Sequence, residues 1–286
     1  MKKRLRLTFF LAVIVGLAGA MPLRAQFSIH DMFVSSVITN QVNETMPVRI
    51  WRNYSEKDLP VPVVVMLHGS GECGQDNSKQ LPAFAPLHRQ ALIDDEIPPA
   101  LYLVPQCTQR NAWVRTIAFK EDYQHPRYPA PALRTVKEYL DQLVADGVAD
   151  PERLYLIGLS LGGFGTWDAI QRWPNYFAAA VPICSGGSIQ DEPIKNAMTT
   201  SVWAFHGEMD VNVPVECSRR MVTALTKAGV SPKYTEYPKA GHGIWTRVFQ
   251  DTAVLKWIFR QRRGVQESAA DGTGFWGRIK AYVTPQ

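Results

Sequence analysis

The sequence predicts an α/β fold: a mainly parallel central sheet with helices on both faces and an antiparallel hairpin at its N-terminal end. Three observations carry the prediction. Apolar strand-like runs alternate with helix-like segments along most of the chain, as in a parallel sheet wound with crossover helices. Residues 61–67 read VPVVVML, a continuous and largely β-branched run of the kind that forms a strand buried on both faces. Residues 156–167 read LIGLSLGGFGTW, which passes from an apolar strand through a tight Gly-Leu-Ser-Leu-Gly turn into a helix start.

The N-terminus stands apart from this pattern. MKKRLR is a basic segment, LTFFLAVIVGLAGAM an apolar one, and PLRA ends in a small residue, Ala25, ahead of Gln26. That is the layout of an export signal, and the apolar run falls short of the ~20 residues of a spanning helix. The expectation is a signal peptide over residues 1–25, no stable membrane anchor, and a periplasmic or extracellular protein. Five of the 31 basic residues and none of the 26 acidic ones lie in that segment, so the remainder carries 26 of each. A chain balanced in this way gives no sign of nucleic-acid binding, since its excess positive charge belongs to the signal.

The following elements fall in order. Residues 33–51 suggest two antiparallel strands, and 57–60 a turn. The strand at 61–67 ends in HGSGECGQDN, a glycine-rich loop. Residues 100–104 form the next strand, followed by a loop with Asn111 and Trp113. Residues 130–144 have helical periodicity through Leu133, Val136, Leu140 and Leu143. Asp150-Pro151-Glu152 suggests a turn before a strand at 154–158. A helix begins after Ser160 and stops before Pro174. Strands are expected at 177–183, 202–205 and 233–237, a helix at 215–228 closed by Gly229, and a last helix at 246–262. Residues 26–263 are thus expected to make one domain. Residues 264–286 form an irregular tail, with Phe275 and Trp276 able to dock back. Residues 76–97 and 108–128 are long enough to shape a lid.

A G-x-S-x-G pattern is common by chance, and its context gives it meaning. Ser160 lies between strand and helix, where a nucleophile elbow belongs, with Gly158 and Gly162 relieving the crowding of the turn. A serine hydroxyl needs a base and the base needs an orienting group. His242, in KAGHGIW after the strand at 233–237, is the candidate base. Asp210, in WAFHGEMDVNVP after the strand at 202–205, is the candidate acid. Glu208 is its near rival; Asp168 and Asp251 fall within expected helices, and Asp191 is a further acidic alternative. The backbone N–H of Leu161 and that of Ser70 or Gly69 would stabilise an oxyanion. His68 suits a structural hydrogen-bonding role. Trp113, Trp245 and Glu72 are candidates for contact with substrate, and Trp167 for the core.

The cysteines, Cys73, Cys107, Cys184 and Cys217, lack metal-site spacing and suggest free or buried thiols. Cys73–Cys107 is the pair favoured for a bridge, since both follow expected strands at the end of the sheet where the site would lie. No metal and no organic cofactor is expected.

VVVMLHGSGECGQDN, LVPQC, NAWV, LYLIGLSLGGFGTWDAI, FAAAVPICSGG, VWAFHGEMDVNVPV, YTEYPKAGHGIW and WIFRQRR together resemble the secreted carboxylesterases of the α/β-hydrolase fold. These are also described as predicted peptidases or esterase/polyhydroxybutyrate-depolymerase-like proteins, related to dienelactone hydrolases and prolyl-oligopeptidase catalytic domains. The resemblance spans residues 30–263. It implies Ser160 as nucleophile, Asp210 as acid and His242 as base, with Trp113 and Trp245 near the site. Two departures bear on substrate preference: Cys73 stands where many relatives have Arg, and Gly243-Ile244 replaces a different pair. The expected function is a secreted serine hydrolase acting on small-molecule or polysaccharide esters, such as acetyl or feruloyl esters of carbohydrate. A prolyl-oligopeptidase-like serine peptidase and a non-catalytic binding module are the alternatives.

Overall fold

The computed structural model describes residues 29–115 and 125–264. The expected signal segment, the tail from residue 265 with Phe275 and Trp276, and part of the second lid candidate lie outside these residues. One eight-stranded sheet organises the chain. Its strands are β1 (Val34–Thr39), β2 (Thr45–Asn53), β3 (Val61–Leu67), β4 (Ala100–Pro105), β5 (Ala149–Leu159), β6 (Ala179–Ile183), β7 (Ser201–Gly207) and β8 (Lys233–Tyr237). They lie in the order β1-β2-β4-β3-β5-β6-β7-β8. β1 and β2 are antiparallel, β2 meets β4 antiparallel, and β3 to β8 are parallel. The N-terminal hairpin and the parallel sheet are as the sequence predicts.

All seven residues of β3 are buried because the sheet is covered on both faces. Val61, Val63, Val65 and Leu67 face one core; Val64 and Met66 face the other. The first core is closed by α3 (Pro131–Ala145), α4 (Leu161–Arg172), α5 (Asp191–Ala197) and α6 (Glu216–Lys227), through residues such as Leu140, Trp167, Ile194 and Met221. The second is closed by α2 (Ala85–Ile93), α7 (Trp245–Gln250) and α8 (Thr252–Arg260), through Leu87, Phe249 and Leu255. The four-residue α1 (Ile29–Met32) precedes the sheet. Burying one Val, Leu or Phe side chain contributes about 1.5–3 kcal/mol, so the double-faced core dominates the fold.

The structure corrects several local expectations. Asp150-Pro151-Glu152 does not end an element. It forms a bulge at the start of β5, where the register with β3 slips between Val61 and Val63. The Asp150 carboxylate accepts the Glu152 N–H at 2.9 Å, a turn-like bond inside a strand. Residues 76–97 are not a lid: Leu81, Phe84 and Leu87 are buried, and α2 packs under α7 and α8. The last helix is two helices. Asp251, expected inside it, sits at the break and caps α8 by accepting the Ala253 N–H. α5 was not expected from the sequence.

Candidate active site

The site forms at the carboxyl ends of β3, β5, β6, β7 and β8, where open α/β sheets collect their ligands. At the end of β5 the chain turns sharply into α4. Ser160, on that turn, holds φ 51° and ψ −116°, a conformation costly for a residue with a side chain. The turn closes only because its neighbours are glycines. A Cβ on Gly158 would lie 2.1 Å from the Gly162 carbonyl oxygen, and one on Gly162 would lie 2.1 Å from that of Leu67. The Ser160 N–H donates to the Ile183 carbonyl at 2.8 Å, which pins the turn to the end of β6.

His242 lies between the other two members of the expected triad. Its Nε2 is 2.9 Å from Ser160 Oγ and its Nδ1 is 2.6 Å from Asp210 Oδ2. The carboxylate accepts only, so the proton sits on Nδ1 and Nε2 is free to accept from the serine hydroxyl. Asp210 Oδ1 accepts the N–H groups of Asn212 and Val213, each at 2.9 Å. Burial pushes the Asp210 carboxyl up, but these bonds and His242 outweigh it and hold the group below the ordinary carboxylate range. Glu208, the rival, points elsewhere: its carboxylate accepts the Lys239 N–H at 2.8 Å.

The loop after β3 lies against the elbow. A Cβ on Gly69 would sit 3.6 Å from Ser160 Cβ and 3.0 Å from Glu72 Oε2. This puts the loop carrying Gly69 and Ser70 beside the serine that precedes Leu161, the first residue of α4. His68 braces the loop. Its Nε2 accepts the Cys107 N–H at 3.1 Å, so its proton is on Nδ1, which donates to the Gly69 carbonyl at 2.6 Å. Burial pushes its pKa down to about 4 and keeps it neutral. The structural role expected for His68 is the observed one.

Two tryptophans part company here. Trp245 is half-buried and stands edge-on to His242 with ring centroids 5.4 Å apart. Trp113 is wholly buried, and its indole N–H donates to the His68 carbonyl at 3.0 Å. With no accessible surface it cannot wall a pocket; it holds the loop from behind. Trp167 is core, as expected. Glu72 is partly buried, its Oε2 has no hydrogen-bond partner, and burial pushes its carboxyl up.

Three supporting residues escaped the sequence reading. Gly207 is required where the His242 loop crosses the end of β7, because a Cβ there would lie 2.3 Å from the Gly241 carbonyl oxygen. His206 is fully buried, with Nε2 3.0 Å from the Val213 carbonyl and 3.3 Å from Asp210 Oδ2. The Cys184 thiol donates to the His242 carbonyl at 3.3 Å. The run FHG before the acid loop was the signal available for the first two.

Two groups bring possible metal ligands within 4.8 Å of one another: His68, Cys73 and Cys107, and Cys184, His206 and Asp210. In each the nitrogen or carboxylate donors are already engaged, His68 through both ring nitrogens and Asp210 through His242 and two backbone N–H groups.

A parallel sheet carrying a strained serine elbow on its central strand, with histidine and carboxylate brought in by the loops after β8 and β7, defines an α/β-hydrolase. The protein is a serine hydrolase that cleaves esters. The chain belongs to the phospholipase/carboxylesterase family, whose sequence pattern matches residues 53–257. It is 26% identical over 220 residues to the carboxylesterase SOBER1 of Arabidopsis thaliana, covering 70% of this chain and 91% of that protein. Among solved structures it is similar to a thermostable esterase, with 32% identity and a TM-score of 0.72. The match covers 82% of this chain and 64% of the esterase chain, so this chain spans under two thirds of that protein's length. A ferulic acid esterase shares the fold at 15% identity and a TM-score of 0.59, over 79% of this chain and 98% of its own. Among the described residues no helix is long and apolar enough to cross a membrane.

Proposed function

We propose that the protein is an exported carboxylesterase in which Ser160, His242 and Asp210 act as nucleophile, base and orienting acid. The observation that carries this is the unbroken hydrogen-bond chain from Ser160 Oγ through His242 to Asp210. Ser160 Oγ attacks the ester carbonyl while His242 Nε2 takes its proton. Asp210 holds the imidazole in the required tautomer and stabilises its charged form. The oxyanion meets the N–H groups of Leu161 and of Ser70 or Gly69; losing one such donor costs on the order of 3 kcal/mol. His242 then gives the proton to the leaving alcohol. A water molecule, deprotonated in turn by His242, attacks the acyl-enzyme and frees the acid. None of these steps needs a metal or cofactor.

Trp245, beside His242, offers a flat apolar surface to an acyl or alcohol group. Glu72 offers a carboxyl whose buried oxygen is unpaired. An aromatic wall at an exported site suits acetyl or feruloyl esters of carbohydrate.

The test is hydrolysis of p-nitrophenyl acetate, methyl ferulate and acetylated xylan by the purified protein and by Ser160→Ala. The wild type is expected to turn over at least the activated acetate, and the variant to lose about 10⁴-fold or more. A fluorophosphonate should label Ser160. A folded wild type that neither turns over nor takes the label would make this a binding module.

A further inference from the structure

We propose that Cys73 and Cys107 are the site of a disulfide that fastens the glycine-rich loop after β3 to the end of β4. This goes beyond the esterase reading and does not depend on it. The two Sγ atoms lie 3.8 Å apart although the residues are 34 positions apart in the chain. Their backbones are already tied together. The Gly74 N–H donates to the Cys107 carbonyl at 2.9 Å, and the Cys107 N–H donates to His68 at 3.1 Å. The Gln106 side chain adds a bond to the Glu72 carbonyl at 3.0 Å. With both main chains held side by side, rotation about the side-chain bonds brings the sulfurs to the ~2.05 Å of a covalent link.

A metal shared with His68 is the competing use of the same atoms. His68 has no lone pair to give it: Nε2 accepts from Cys107 and Nδ1 carries the proton shared with Gly69. Cys184 is wholly buried against the His242 carbonyl, and Cys217 is buried on α6.

Cys73 is half-buried and reachable, whereas Cys107 is buried. The Cys107 thiol beside Cys73 holds the latter's pKa below the ordinary thiol value, and burial drives that of Cys107 up. Cys73 is therefore the attacking group. With oxidised glutathione, the Cys73 thiolate forms a mixed disulfide and expels one reduced glutathione. The Cys107 thiol then attacks Cys73 Sγ and expels the second. Two protein thiols and one glutathione disulfide become one protein disulfide and two glutathiones, which carry away both protons and both electrons.

The bond would bind down the loop that carries Ser70 and Glu72. The test starts from the full-length, fully reduced protein, equilibrated with oxidised and reduced glutathione, alkylated, digested and mapped by mass. A Cys73–Cys107 linked peptide pair is expected, with Cys184 and Cys217 alkylated only after denaturation. The melting temperature should rise by on the order of 5 °C on oxidation, and the rise should vanish in Cys73→Ser and in Cys107→Ser. Alkylation of both cysteines, or a glutathione adduct that persists on Cys73, would overturn the proposal. So would stoichiometric Zn²⁺ held by the reduced protein and lost in Cys73→Ser, which would assign the site to a metal.

Discussion

Asp210 and Glu208 are two positions apart and live in different surroundings. The first is buried, with both carboxylate oxygens directed at donors in the site; the second accepts a single backbone N–H from Lys239 near the surface. Asp210→Asn should therefore leave the fold intact and lower kcat by about 10⁴-fold, because the amide presents the wrong partner to His242 Nδ1. Glu208→Gln should keep activity within a few-fold of wild type. Steady-state kinetics with p-nitrophenyl acetate checks both; equal losses would mean that the acid is shared. The hydrogen-bonded trio was legible as a candidate because each member follows its own strand in the order Ser160, Asp210, His242. Trp113 was not, since burial depends on what packs behind a loop, and a sequence shows only that the loop is there. Cys184 and His206 were hidden for the same reason. They support His242 and Asp210 from beneath, through contacts across 58 and four positions of chain.

At the scale of elements, periodicity served well where an element is long or buried on both faces. β3 and β8 have the bounds expected from the sequence, and α3 begins one residue later than expected. It served poorly where local chemistry interrupts a continuing element. Asp150 makes a turn-like bond that the sheet absorbs as a bulge. Asp251 does the reverse, ending α7 and starting α8 inside one apolar periodicity. Short helices such as α2 and α5 give too few turns for a period to show. The cap at Asp251 has a measurable worth: Asp251→Ala should lower stability by about 1 kcal/mol in urea unfolding, with kcat unchanged. A loss of activity without a loss of stability would mean that the α7–α8 break positions Trp245 rather than only joining two helices.

For the whole molecule, the pH dependence of stability draws on buried imidazoles, of which burial lowers the pKa of His206 and, further, of two others. Burial pushes His68 and His88 down to about 4, and His88 is packed against both Phe33 and Trp51. Unfolded, each would titrate near 6.5. Between those values the unfolded chain binds more protons than the folded one, so stability rises with pH across that window. The protein should hold its full stability above about pH 6.5 and lose it progressively toward pH 4, by on the order of 3 kcal/mol per histidine at the lower end. Urea titrations at pH 7 and pH 4.5 read this directly, and His88→Phe should flatten part of the slope. A midpoint that does not move over this range would mean that both rings protonate freely in the folded state.

The backbone at Ser160 has one further consequence. A left-handed residue with a side chain carries on the order of 1–3 kcal/mol of strain, and here it is held by a turn that admits no Cβ on either flanking glycine. The most comfortable residue at that position is glycine, which has no hydroxyl. Any search through variants for heat resistance alone is therefore drawn toward a tougher protein that lacks the proposed nucleophile. Selection on this chain has to reward turnover, or the fold drifts toward silence at its own centre.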